Sequence, residues 1–80
     1  MDNNEIEDKV TTVILHVFNI EKNKINKNMN SENTDGWDSL KHMNLIIALE
    51  DEFNINFQDS EIIEINSLKK IIEIIYKKQN

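Results

Sequence analysis

The apolar residues of this chain recur at helical spacing. Up to Phe18 they lie three or four positions apart, which places them on one face of a helix. They are Ile6, Val10, Val13, Ile14 and Val17. The pattern predicts a first helix from Asn3 or Asn4 to about Phe18, with Asn4 and Glu7 resembling a capping box at its start.

Residues 19–38 interrupt this pattern. They are polar and rich in Asn and Lys, and their isolated apolar members are Ile20, Ile25 and Met29. We predict a long loop here. Because unstructured connections beyond about 12–15 residues are uncommon in compact domains, we expect these apolar residues to pin the loop across the rest of the fold.

A second helix is predicted from Ser39 to about Asn54, capped by Asp38 or Ser39. Its inward-facing residues are expected to be Leu45, Ile46, Leu49 and Phe53. The acidic residues 50–52 lie near its C-terminal end, where the helix dipole disfavours negative charge. We interpret them as a solvated face or an acidic patch.

The remaining residues predict a turn, a short helix and a last long helix. Asp59 or Ser60 can cap the short helix, which ends at Glu64, and Asn66 or Ser67 can cap the last one. The apolar face of the last helix consists of Leu68, Ile71, Ile72 and Ile75. The predicted fold is therefore all-α, a small four-helix bundle with three long helices, one short helix and a long first loop. We expect residues 1–80 to form one domain, because no proline or change in composition divides them.

Composition narrows the function. The net charge of −6 and the absence of arginine argue against nucleic-acid binding, which needs clustered cations. No apolar run approaches the ~20 residues that span a bilayer, and the acidic N-terminal residues do not form a signal peptide. We therefore expect a cytoplasmic monomer without membrane insertion. No cysteine is present, so the chain has no thiol of its own.

The candidate site is the stretch Gly36–Leu40, which holds the only glycine and the only tryptophan. Ser39 lies at a helix start, where unpaired N–H groups and the positive end of the dipole suit a bound or covalently attached phosphate. The alternative is a cap with no further role. Ser39 and His42 share a helix face, but no orienting group or oxyanion site accompanies them, so we do not expect a catalytic pair. His16 has no companion at ligand spacing, so we do not expect a metal site.

The Asp-Ser-Leu sequence at residues 38–40, followed by a Met/Leu/Ile helix that ends in Ala-Leu-Glu-Asp-Glu-Phe, resembles the acyl carrier protein family. The likeness extends from about Gly36 to Tyr76. It implies that Ser39 carries a 4′-phosphopantetheine arm, transferred from coenzyme A by a phosphopantetheinyl transferase. The arm would hold acyl groups as thioesters for acyl-activating or acyl-transferring enzymes, and it would bring the thiol that this non-catalytic protein lacks.

The resemblance also implies roles for the neighbours of Ser39. Asp38 would be read by the transferase, Gly36 would permit backbone angles that other residues avoid, and Leu40 would be an anchor close to the attachment point. The plainer interpretations of these residues are a cap, a turn and core packing, and all three can hold together.

Three apolar residues are implied to border the acyl chain. Met43 and Ile47 follow Ser39 by one and two helical turns, and Ile62 would sit opposite them on the short helix. In the family, the corresponding positions border the opening of a tunnel that shelters the acyl chain. For Ile47, ordinary core packing is the alternative.

Partner recognition is predicted to involve Trp37, Lys41, His42 and Asn44. Carriers of primary fatty-acid synthesis usually show acidic residues just after the serine, and Lys41, His42 and Asn44 stand at those places here. This difference predicts different enzymes and a dedicated biosynthetic pathway. His42 is expected to be exposed, and Trp37 either packs over the loop or is read by a partner. Gln58 stands where the family often has a proline before the third helix.

Two other functions fit the same residues. An aminoacyl or peptidyl carrier uses the same fold and serine, and Trp37 together with the reduced negative charge after Ser39 keeps that function open. A helical interaction module without any cofactor belongs to a different class, and in it Ser39 is only a cap.

Overall fold

A computed structural model describes residues 2–79 and confirms the all-α prediction. In chain order, the helices in this range are α1 (Asn3–Phe18), α2 (Ser39–Phe53), α3 (Asp59–Glu64) and α4 (Leu68–Gln79). A single 3₁₀ turn, Lys22–Lys24, lies in the long loop between α1 and α2. The three long helices and one short helix are those that the sequence predicts.

The core forms from the predicted helix faces. All four inward residues predicted for α2 are buried, as are most of those predicted for α1 and α4. The fully buried positions are Ile6, Val10, Ile14, Leu45, Ile46, Leu49, Ile65, Ile71 and Ile75. Two residues of α4 differ from the prediction, since Ile74 is buried and Ile72 is only partly buried.

The long loop is pinned across the bundle, as predicted. Met29 is buried in the core, and its carbonyl accepts a hydrogen bond from the Leu68 N–H at 3.1 Å. The Ser31 N–H donates to the carbonyl of Asn66 at 2.8 Å. These contacts fix the middle of the loop against the start of α4.

The helix starts agree with the sequence in part. The Asp2 carboxylate caps α1 by accepting from the Glu5 N–H at 2.9 Å, so the capping box predicted at Asn4 is wrong. Asn4 lies in the first turn of α1 instead. The Asp38 carboxylate caps α2 by accepting from the Lys41 N–H at 2.9 Å, as predicted.

The start of α3 also differs. The helix begins at Asp59 with Gln58 as its N-cap, and the Glu61 carboxylate accepts from the Gln58 N–H at 2.8 Å. The caps predicted at Asp59 or Ser60 are therefore wrong, and Gln58 replaces a proline without loss of the helix. Ser67 does cap α4, since its hydroxyl accepts from the Lys70 N–H at 3.1 Å.

The end of α2 uses one of its acidic residues. Asn54 has left-handed backbone angles (φ 54°) and terminates the helix, which asparagine tolerates better than most residues. The Glu50 carboxylate accepts from the Phe57 N–H at 2.9 Å and fixes the following turn. Glu50 is therefore partly structural, whereas Asp51 and Glu52 are exposed. Within residues 2–79, no helix is both long and apolar enough to cross a bilayer.

Candidate functional site

Ser39 is the first residue of α2, and its side chain is exposed. Asp38 caps the helix beside it, and the first-turn N–H groups that Asp38 leaves free point out of this end of the helix. Gly36 has a φ of +86° in the preceding turn, a value that side chains other than glycine rarely adopt. The turn and the cap together present the Ser39 hydroxyl to solvent.

Trp37 lies beneath this exposed serine. Its side chain is only 8% exposed, and its ring packs against Phe18 with centroids 5.3 Å apart. The indole Nε1–H donates to the Nδ1 atom of His42 at 3.1 Å. Packing is therefore the role that the structure supports for Trp37, and little of its surface is open to a partner.

His42 is held by its neighbours, so the prediction that it is exposed is wrong. Its Nδ1 atom pairs with Trp37, and its Nε2 atom lies 2.9 Å from the carbonyl oxygen of Ile62 in α3. Because an indole can only donate and a carbonyl can only accept, this pairing assigns the neutral tautomer with the proton on Nε2. Neither nitrogen is left to accept a proton from Ser39, which agrees with the absence of a catalytic pair.

Lys41 is also used inside the fold. Its ammonium group donates to the carbonyl of Val17 at 3.0 Å, near the C-terminal end of α1. A cation at this position satisfies an unpaired carbonyl and interacts favourably with the helix dipole. The predicted role of Lys41 in partner recognition is therefore not supported, whereas Asn44 is exposed and stays a candidate.

An apolar stripe lies beside Ser39 on the surface. It consists of Leu40, Met43 and Ile47 on α2, which are 72%, 45% and 58% exposed, and of Ile63 on α3, which is 80% exposed. The core alternatives for Leu40 and Ile47 are therefore wrong. Ile63 was not predicted, although a six-residue helix with two adjacent isoleucines cannot bury both on one face. Its neighbour Ile62 is the one that packs against the core.

A groove of about 510 Å³ opens next to Ser39 between α2 and α3. Its lining residues are Ser31, Trp37, Asp38, Ser39, His42, Met43, Ile63, Ile65 and Asn66. The groove thus joins the predicted serine to Met43, whereas Ile47 and Ile62 are not in its lining. Its lining contains both apolar and polar side chains, which suits an elongated group that has both kinds of surface. Within residues 2–79, no cluster of three metal-ligating side chains accompanies it.

Comparisons with known proteins match most of the chain. The model of a family described as "phosphopantetheine attachment site" matches residues 8–75. An acyl carrier protein of Guillardia theta is 33% identical over 78 residues, which cover 98% of this chain and 96% of the relative. One from Buchnera aphidicola is 37% identical over 73 residues, 91% of each chain. "Acyl carrier protein 2, mitochondrial" of Arabidopsis thaliana is 29% identical over 75 residues, 94% of this chain and 60% of the relative.

Proposed function

The chain belongs to the acyl carrier protein family, which bears a covalently attached 4′-phosphopantetheine group, and we propose that Ser39 is the residue that carries it. The observation that supports this assignment is the exposed Ser39 hydroxyl at the capped start of α2, beside a groove that is partly apolar. The protein then presents acyl groups to partner enzymes and catalyses no reaction itself.

The residues around Ser39 fit such a group. A phosphodiester on Ser39 would lie at the N-terminal end of α2, where free N–H groups and the helix dipole stabilise negative charge. Trp37, Met43 and Ile63 offer apolar contacts along the groove, and Asn66 and Ser31 offer polar ones. When bound, the group supplies a thiol that forms thioesters, and the chain contains no cysteine that could replace it.

A transferase provides the decisive experiment. The apo protein is incubated with coenzyme A and a broad-specificity phosphopantetheinyl transferase, and its intact mass is measured. We expect one mass increment of the phosphopantetheine group in the wild type and in Ser60→Ala, which removes an exposed serine from the start of another helix. We expect none in Ser39→Ala. An increment that survives in Ser39→Ala would place the attachment elsewhere.

Partner enzymes are proposed to bind the apolar stripe. The stripe adjoins Ser39 on α2, and an exposed apolar area beside polar residues is typical of interaction sites. Asp38 is exposed beside Ser39, but after the serine Lys41 is bonded to α1 and the next exposed polar residue, Asn44, is neutral. A surface that is apolar and has no acidic residue in the helical turn after Ser39 should select enzymes that differ from those that use a basic patch to bind an acidic carrier.

We therefore propose a dedicated biosynthetic pathway for this carrier. The acylated holo protein can be assayed with a general fatty-acid ketosynthase from the same cell, over a range of salt concentrations. We expect slow elongation and weak salt dependence, because apolar contacts are not screened as ion pairs are. Efficient elongation that salt abolishes would contradict a dedicated role.

The two other functions are less well supported. Trp37 was one reason to consider an aminoacyl or peptidyl carrier, and its burial removes that reason. Family membership sets aside a module without any cofactor. The cytoplasmic location, the monomeric state and the single domain stay predictions, and one of the relatives is named as mitochondrial.

A further inference from the structure

We propose that Met43 is a modification site at which oxidation by peroxide weakens the binding of enzymes that act at Ser39. In this step the thioether sulfur is oxidised by taking one oxygen atom from hydrogen peroxide, which is reduced to water, and the product is a sulfoxide. The side chain changes from apolar to polar, and reductases that use a thiol as reductant reverse the change. The inference rests on the proposed function, because it concerns the apolar stripe beside the proposed attachment residue.

The first argument is access of an oxidant to the side chain. Met43 is 45% exposed, lines the groove beside Ser39 and lies outside the core cluster. Met29 is 5% exposed and belongs to that cluster. Because oxidation of methionine depends on exposure, peroxide should reach Met43 in the folded protein and Met29 only after unfolding.

The second argument is the chemistry of the side chains around Met43. Leu40 and Ile47 lie three residues before it and four residues after it on α2, so all three share one face of the helix. Ile63 lines the same groove from α3. These side chains are hydrocarbon and cannot donate a hydrogen bond to a sulfoxide oxygen. Water satisfies that oxygen while the stripe is exposed, but an apolar partner surface that covered it would leave the oxygen unpaired, which opposes binding.

The third argument is the short distance from Met43 to the proposed attachment residue. Ser39 and Met43 are four residues apart on α2, so they share a side of the helix and lie about 6 Å apart along its axis. A specific protein interface covers about 800 Å² on each partner, which is a patch roughly 30 Å across. An enzyme that docks over Ser39 therefore also covers Met43.

The first test measures which methionine is oxidised. The folded apo protein is treated with hydrogen peroxide, the reaction is stopped, and the protein is digested with trypsin. Residues 1–9, 28–41 and 42–69 then form separate peptides, each with one methionine. We expect an added oxygen on Met43, and on Met29 only when the treatment is done in urea. Equal oxidation of both residues in the folded protein, or resistance of Met43, would overturn the proposal.

The second test measures the effect on an enzyme that acts at Ser39. Initial rates of phosphopantetheine transfer from coenzyme A by a broad-specificity transferase are measured by intact mass, before and after peroxide treatment. We expect oxidation to lower the rate about tenfold in the wild type and in the control Met29→Leu, which conserves side-chain volume in the core. In Met43→Leu, oxidation should leave the rate as it was, whatever its starting value. Methionine sulfoxide reductases with dithiothreitol as reductant should restore the wild-type rate.

Thermal unfolding separates an effect on binding from an effect on the fold. Because Met43 lies outside the core cluster, we expect the oxidised and reduced wild type to unfold at the same midpoint in circular dichroism. A lowered midpoint that accounts for the slower transfer would overturn the proposal. So would a transfer rate that oxidation leaves unchanged in the wild type, or lowers equally in Met43→Leu. These outcomes leave the proposed function intact, whereas absence of any mass gain in the reduced wild type would overturn both.

Discussion

The carboxylate of Asp38 is expected to serve two separable roles, and one pair of variants distinguishes them. As the cap of α2 it accepts from the Lys41 N–H at 2.9 Å, and as an exposed charge beside Ser39 it is the predicted contact of the transferase. Asp38→Asn keeps an oxygen that can cap the helix but removes the charge. Asp38→Ala removes both.

The magnitudes follow from the structure. Loss of an N-cap bond costs about 1 kcal/mol, and α2 carries four buried residues of the core, so the cost should appear in global unfolding. For a domain of this size, that corresponds to a fall in the unfolding midpoint of about 4–8 °C for Asp38→Ala. Asp38→Asn loses only the attraction of the charge to the helix dipole, about 0.3–1 kcal/mol at an exposed site and less in salt.

Two assays on the same samples complete the test. Thermal unfolding should rank the wild type first, Asp38→Asn second and Asp38→Ala last. The initial rate of phosphopantetheine transfer, measured by intact mass at a temperature where all three are folded, should fall equally in both variants if the charge is what the transferase reads. Equal destabilisation by the two variants would refute the capping argument. A normal transfer rate for Asp38→Asn would refute the role of the charge.

Two further predictions concern contacts that hold the helices together. Lys41→Met should lower the free energy of unfolding in urea by about 1 kcal/mol, because it removes the ammonium that caps α1 at Val17. The control Lys22→Met, in the exposed loop, should not change this free energy measurably. Equal effects of the two substitutions would contradict the capping role of Lys41. The Gln58 N–H and the Lys78 ammonium lower the pKa of the Glu61 carboxyl below its usual value of 4.5. The ionised carboxylate therefore stabilises the fold fully above pH 4.5, and this stabilisation is lost as the pH falls through the lower pKa of the folded state. The free energy of unfolding measured in urea should therefore differ between wild type and Glu61→Gln at about pH 7, and this difference should become smaller by about pH 3. A difference that stays constant with pH would refute the reasoning.

Helix faces were the most predictable part of this fold. The spacing of Leu45, Ile46, Leu49 and Phe53 identifies the buried face of α2 because only one side of a surface helix can reach the core. Helix starts were less predictable, since Asn4 and Asp2 both offer a side chain that can cap α1. The choice between such neighbours depends on the path of the preceding backbone, which a local pattern does not contain.

The polar contacts of the site could not be predicted in this way. The hydrogen bond from His42 to Ile62 joins residues 20 positions apart, and that from Lys41 to Val17 joins residues 24 positions apart. Periodicity places a residue on a face of its own helix but says nothing about which atom of another helix lies opposite. For this reason Lys41 and His42, both polar and near a helix start, resembled surface residues.

These two contacts change what the departure from the family pattern means. Lys41 and His42 stand where acidic residues are usual, and the sequence alone indicated a surface that had become less negative. In the fold, however, the cation of Lys41 is bonded to α1 and the imidazole of His42 is bonded to Trp37 and α3, so neither displays its polar group fully to a partner. What remains exposed beside Ser39 is the apolar stripe together with the carboxylate of Asp38. The surface that we propose for partner binding is therefore distinguished by exposed hydrocarbon, and Lys41 and His42 beside it are bonded within the fold.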